Sequence, residues 1–140
     1  MPQQIQDIMT KQLHTVGKDA SLLDVARMMR DQRIGDVLVT NRDGTLCGIV
    51  TDRDIVVRAD AAGKPLDRTS VGDICTDAIV KLSPTSSIDE AVSIMREHAV
   101  RRVPVVRDGR AVGIVTIGDL ARQKDPSSAL AEISAAAPNN

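Results

Sequence analysis

The chain of 140 residues contains no Phe, Tyr or Trp. Its core must therefore be aliphatic, drawn from Val, Ile, Leu, Met and Ala. Without aromatic rings there is no platform for stacking single-stranded bases, no cage for a quaternary ammonium and no interfacial anchor for a bilayer. An excess of one charge is lacking too. Eighteen basic side chains face 19 acidic ones, a net charge of −1, so no global field draws in nucleic acid, and none is expected as a partner. No apolar run approaches the length of a membrane span. The opening residues MPQQIQDIMT show neither the basic start nor the apolar stretch of a secretory signal. Only two cysteines occur, Cys47 and Cys75, without CxxC spacing. They point to a cytoplasmic protein whose cysteines remain thiols. Two distant His and two distant Cys support no metal site.

What the chain does have is a repeat. Asp7-Ile8-Met9-Thr10 returns as Asp73-Ile74-Cys75-Thr76, a shift of 66. Ser21 to Ala26 returns as Ser87 to Val92, and Met29-Arg30 as Met95-Arg96. Gly48-Ile49-Val50-Thr51 is repeated letter for letter as Gly113-Ile114-Val115-Thr116, at a shift of 65 because the first hairpin loop is one residue longer. So many matches in register mark a duplication. It divides the chain into a first repeat over 1–60, a linker over 61–70, a second repeat over 71–124 and a tail over 125–140.

Each copy reads alike. Ser21 with Asp24, and Ser87 with Glu90, have capping-box spacing at a helix start. Leu22, Val25, Ala26 and Met29 fall on one helical face, as do Ile88, Ala91, Val92 and Met95. A hairpin follows in each copy, turning at Asp43-Gly44 and at Asp108-Gly109. Short helices are expected at Asp54 to Ala59 and Asp119 to Gln123. In the tail, Asp125-Pro126-Ser127 has the pattern of a helix start. A unit of about 60 residues buries too little surface to stand comfortably alone, so the two copies are expected to pack together about a pseudo-twofold axis.

The chemistry concentrates in Gly-Ile-Val-Thr-x-x-Asp, at Gly48 to Asp54 and Gly113 to Asp119. A strand running into a helix through Thr and Asp offers a hydroxyl, backbone N–H groups and a carboxylate. Those groups suit a phosphate with a neighbouring diol. Thr and Asp are also ordinary capping residues, and a cap would be duplicated as readily as a site. No nucleophile–base pair, paired acid–base signal or metal cluster is visible, so an enzyme is not expected.

These motifs together resemble a tandem pair of cystathionine-β-synthase (CBS) domains, a Bateman module, over roughly residues 5 to 124. The resemblance implies an α/β (α+β) fold of two βαββα repeats and inter-repeat clefts for AMP, ADP, ATP or S-adenosylmethionine, with no cofactor required. It matches Asp54 and Asp119 to the family's ribose-binding carboxylate, and Thr51 and Thr116 to its phosphate-side hydroxyl. It sets His14, Ile34 and Gly35 near the Thr116/Asp119 cleft, and Val80, Val100 and Arg101 near the Thr51/Asp54 cleft. It also places Arg101 and Arg102 beside phosphates. Asp36 stands where Arg102 stands in the other copy, so Thr116/Asp119 is expected to be the better nucleotide site.

The resulting expectation is a regulatory sensor, homodimeric and signalling to a partner protein in trans. The alternative is a constitutive homodimeric interaction protein that keeps the fold without a physiological nucleotide.

Overall fold

The computed structural model describes residues 3–77 and 80–124. They form two compact units, one made of residues 14–77 and the other of residues 3–13 together with 80–124. The units thus cut across the sequence repeats. The segment that opens each repeat packs into the unit built from the other one. The tail over 125–140, with its expected helix start, lies outside the described residues.

In the first unit, β1 (Thr15–Gly17) leads to α1 (Leu22–Gln32), then to the hairpin of β2 (Asp36–Thr40) and β3 (Leu46–Thr51). A helical segment follows, α over Asp52–Asp54 (α2) and π-wound over Ile55–Asp60, and β4 (Thr76–Asp77) closes the unit. The sheet order is β1-β2-β3-β4, with β1 parallel to β2 and the other pairs antiparallel. The alternating apolar residues of β2 and β3 meet the buried face of α1, so Leu22, Val25, Met29, Val37, Val39 and Val50 form one aliphatic cluster. Each such side chain removed from water contributes about 1.5–3 kcal/mol.

The second unit repeats the plan with α3 (Ile88–His98), the hairpin of β5 (Arg102–Arg107) and β6 (Arg110–Thr116), and α4 (Ile117–Lys124). Its outer strands shrink to single bridges, Leu82 with Val105 and Thr10 with Ile114. Both helices after the hairpins begin two residues earlier than their sequence pattern suggests, at Asp52 and Ile117, immediately after the Thr that caps them.

Helix boundaries follow local chemistry. The Ser21 hydroxyl accepts from the Asp24 N–H at 3.1 Å, and the Ser87 hydroxyl from that of Glu90 at 3.0 Å. Both helices end on a left-handed residue that is not glycine, Arg33 at φ 57° and Ala99 at φ 53°.

The exchanged segments are firmly held. Ile5 is fully buried in the second unit, with its N–H donating to the Ser86 carbonyl at 2.9 Å. Val71, its counterpart, is fully buried in the first unit and donates to Ala20 at 2.8 Å. Residues 61–70, read as a linker, are anchored to α1. Leu22 and Leu23 donate their N–H groups to Thr69 and Leu66, and Leu66 packs on the core.

Candidate functional site

Each Gly-Ile-Val-Thr-x-x-Asp motif ends a central strand and opens the following helix. At the first, the Thr51 hydroxyl accepts from the Asp54 N–H at 3.0 Å, and the Thr51 N–H donates to Asp54 Oδ2 at 2.9 Å. The second is the same: Asp119 N–H to the Thr116 hydroxyl at 3.1 Å, and Thr116 N–H to Asp119 Oδ2 at 3.0 Å. These are reciprocal capping boxes. The capping reading of Thr and Asp is therefore realised at both motifs. Each Thr hydroxyl keeps a proton to donate, and each carboxylate meets the cap through Oδ2.

The two carboxylates differ in their surroundings. Asp54 is half-buried, whereas Asp119 is only 5% exposed. The Asp119 Oδ1 accepts from Arg122 one turn along α4, and its Oδ2 also lies 3.4 Å from the Thr10 hydroxyl. In the first unit Val57 stands where Arg122 stands in the second. Arg122 was not among the residues singled out from sequence, although its spacing of three from Asp119 on a helix was a legible signal. Thr10 carried no such signal, being 109 residues from Asp119.

Within each unit, the residues leading into the hairpin touch the motif. The Asp52 N–H donates to the Gly35 carbonyl at 3.0 Å, and the Ile117 N–H to the Arg101 carbonyl at 2.9 Å. A Cβ on Gly35 would lie 3.3 Å from the Asp52 carboxylate, so glycine keeps this approach open. Gly35 thus adjoins the Thr51 turn through Asp52, while Ile34 is half-buried and packs on the core of the first unit. His14 is half-buried there, and its carbonyl accepts from the Leu38 N–H at 2.9 Å. In the second unit Val80 and Val100 are half-buried and pack on the core, while Arg101 and Arg102 are exposed.

The charges around the motifs are opposite in sign. Asp36, Asp52 and Asp54 accompany Arg53 in the first unit. Arg101, Arg102 and Arg122 accompany Asp119 in the second. The first set carries a net negative charge and the second a net positive one.

A shallow apolar groove of about 330 Å³ lies between α3 and α4, lined by Val92, Met95, Arg96, Val100, Ile117, Leu120 and Ala121. Ile117 is 48% exposed at its rim. On the corresponding helix of the first unit, Val56 and Val57 are 59% and 50% exposed.

Two βαββα-like units, each ending its central strand in a capped Thr-x-x-Asp, define a tandem-repeat module. The family description "CBS domain" matches residues 5–60 and 71–124, and the chain belongs to the CBS domain family. Hypoxic response protein 1 of Mycobacterium tuberculosis is 40% identical over 116 residues, 83% of this chain and 81% of that protein. The CBS domain-containing protein YhcV of Bacillus subtilis is 34% identical over 134 residues, 93% of this chain and 94% of its own. Among solved structures, Hypoxic Response Protein I with two coordinated zinc ions matches with a TM-score of 0.80 at 39% identity, covering 86% of this chain and 98% of that one. The CBS domain pair of MJ0100, in complex with 5′-methylthioadenosine and S-adenosyl-L-methionine, matches with a TM-score of 0.78 at 26% identity, covering 91% and 100%.

Among the described residues, no group of three or more His, Cys, Asp or Glu could hold a metal ion. None of their helices is long and apolar enough to cross a membrane.

Proposed function

We propose that this chain is a non-enzymatic regulatory module that binds an adenosyl ligand at its Thr-x-x-Asp turns and passes its occupancy to a partner protein in trans. The carrying observation is the twice-built turn, in a fold whose relative MJ0100 holds two adenosyl ligands. At each turn the Thr hydroxyl proton suits a phosphate or ribose oxygen, and the carboxylate suits a ribose diol. Opposite surrounding charge sorts the ligands. The Thr116 turn, with Arg101 and Arg102, takes the phosphates of AMP, ADP or ATP. The Thr51 turn, with Asp36 and Asp52, suits the sulfonium of S-adenosylmethionine. A bound ligand shifts the populations of the module's conformations by its differential affinity for them, and the partner reads that shift.

Calorimetric titration tests this reading. Asp119→Ala and Arg102→Ala are expected to weaken ATP while sparing S-adenosylmethionine, and Asp54→Ala to do the reverse. Equal losses for both ligands would remove the sorting. Ligand at 100 times its dissociation constant should stabilise the fold by about 2.7 kcal/mol. The absence of any thermal shift with AMP, ATP or S-adenosylmethionine at millimolar concentration would remove the binding reading itself.

A second reading, a constitutive homodimer acting through its surface, is favoured by the apolar groove with its exposed Ile117. Ile117→Asp would then abolish dimers in sedimentation velocity.

A further inference from the structure

Cys47 and Cys75 are separated by 28 positions in sequence, yet their sulfurs lie 3.9 Å apart. Both are half-buried against the core of the first unit, and both are thiols. Two local features bring them together. The ladder between β2 and β3 pairs Val39 with Gly48 and Thr40 with Leu46, which leaves Cys47 as the extra residue of a β-bulge. A bulge frees a side chain from strict alternation and can re-aim it. The 3-10 turn at Val71–Asp73 then delivers Cys75, whose N–H donates to the Val71 carbonyl at 2.9 Å, just ahead of β4. That strand pairs with β3 at Gly48 and Ile49, next to Cys47.

The second unit has the same construction without thiols. Its bulged residue is Val112, between the Val105–Gly113 and Val106–Ala111 pairs. Its counterpart of Cys75 is Met9, and both Met9 and Val112 pack on that core. Apolar side chains of ordinary chemistry fill this place in one copy, so packing does not require two sulfhydryls in the other.

We infer that Cys47 and Cys75 are an oxidation site that closes to an intrachain disulfide, stapling β3 to the turn before β4. Bond formation brings the sulfurs from 3.9 Å to a bonded separation of about 2.05 Å. With a small-molecule disulfide as oxidant, one cysteine thiolate attacks a sulfur of that disulfide, forming a mixed disulfide and expelling one small thiolate. The second cysteine thiolate attacks the protein sulfur of the mixed disulfide and expels the other. The two thiol protons end on the released small thiols. The protein loses two electrons and the oxidant gains them. Because β3 runs directly into Thr51, the bond restrains the strand that carries the first Thr-x-x-Asp turn.

The test is a redox titration of the whole chain in glutathione mixtures, quenched with a maleimide and read by intact mass and peptide mapping. The expected result is paired loss of both thiols, a monomer two hydrogens lighter, and a linked peptide joining Cys47 to Cys75. Cys47→Val and Cys75→Met borrow the residues of the other unit and so suit the site. Each should leave one thiol that takes up a single glutathione instead. The inference is overturned if the wild type adds two glutathiones, forms an interchain dimer on a non-reducing gel, or keeps both thiols at the most oxidising ratio.

Discussion

The Asp119 carboxylate and the Arg122 guanidinium form an ion pair across one turn of α4, with side-chain exposures of 3% and 39% respectively. The same carboxylate accepts from the Thr116 N–H and the Thr10 hydroxyl, so both of its oxygens are engaged inside the second unit. Asp54 makes the equivalent cap but stays half-buried, with Val57 at the arginine's position. A ribose arriving at Asp119 therefore competes with Arg122, while one arriving at Asp54 meets no such rival from that position.

Arg122→Ala is expected to act in two directions. The fold loses a charge-assisted hydrogen bond to a buried carboxylate, tempered by the solvent around the guanidinium, for a cost of about 1–2 kcal/mol. Adenosine, which carries no phosphate, should bind severalfold more tightly because Oδ1 is released. Urea denaturation followed by far-ultraviolet circular dichroism gives the first quantity and calorimetric titration the second. Unchanged adenosine affinity would show that Arg122 does not compete.

Ile5 opens a single 3-10 turn ahead of β1. It is nonetheless fully buried among Leu82, Ala91, Val103 and Val115. Ile5→Ala should cost about 2–5 kcal/mol, the range for an aliphatic core cavity. A loss below about 0.5 kcal/mol, typical of surface positions, would show that the opening segment is not part of that core.

Ala99 ends α3 at φ 53°, a conformation that a Cβ disfavours. Ala99→Gly should stabilise the protein by about 0.5–1 kcal/mol, since glycine adopts this cap without strain. The gain would appear as a higher urea midpoint with an unchanged slope, and a lower midpoint would contradict it.

Gly113 faces Met9 so closely that a new Cβ would collide with the thioether sulfur, and it would lie only 2.8 Å from the Met9 Cγ. Gly113→Ala should therefore cost about 1–3 kcal/mol. In a Met9→Ala background most of that penalty should vanish, because the colliding atoms are gone. A double-mutant cycle measures the coupling, and strictly additive effects would place the cost elsewhere.

Much of this architecture was legible in the sequence because it is local. Ser21 and Ser87 announce α1 and α3, the apolar positions fix their buried faces, and Asp-Gly marks both hairpin turns. The reciprocal caps at Thr51/Asp54 and Thr116/Asp119 were present as one of two readings. What was not legible depends on contacts distant along the chain. Nothing near Ile5 says that it belongs with Leu82 and Val115, and nothing near Cys47 says that a bulge will bring it to Cys75. Arg122 lies between these cases: its spacing from Asp119 was visible, but the burial that makes the pair matter comes from the surrounding fold.

The exchange of opening segments also bears on how the chain is made. Synthesis runs from the N-terminus, and domains fold as units while it proceeds. The unit of residues 14–77 has all of its parts once Asp77 has cleared the ribosome. Residues 3–13 do not. Thr10 has its partner only once β6 exists, more than 100 residues further along the chain. A segment made ahead of the first unit is thus placed only after the second unit's hairpin has followed it.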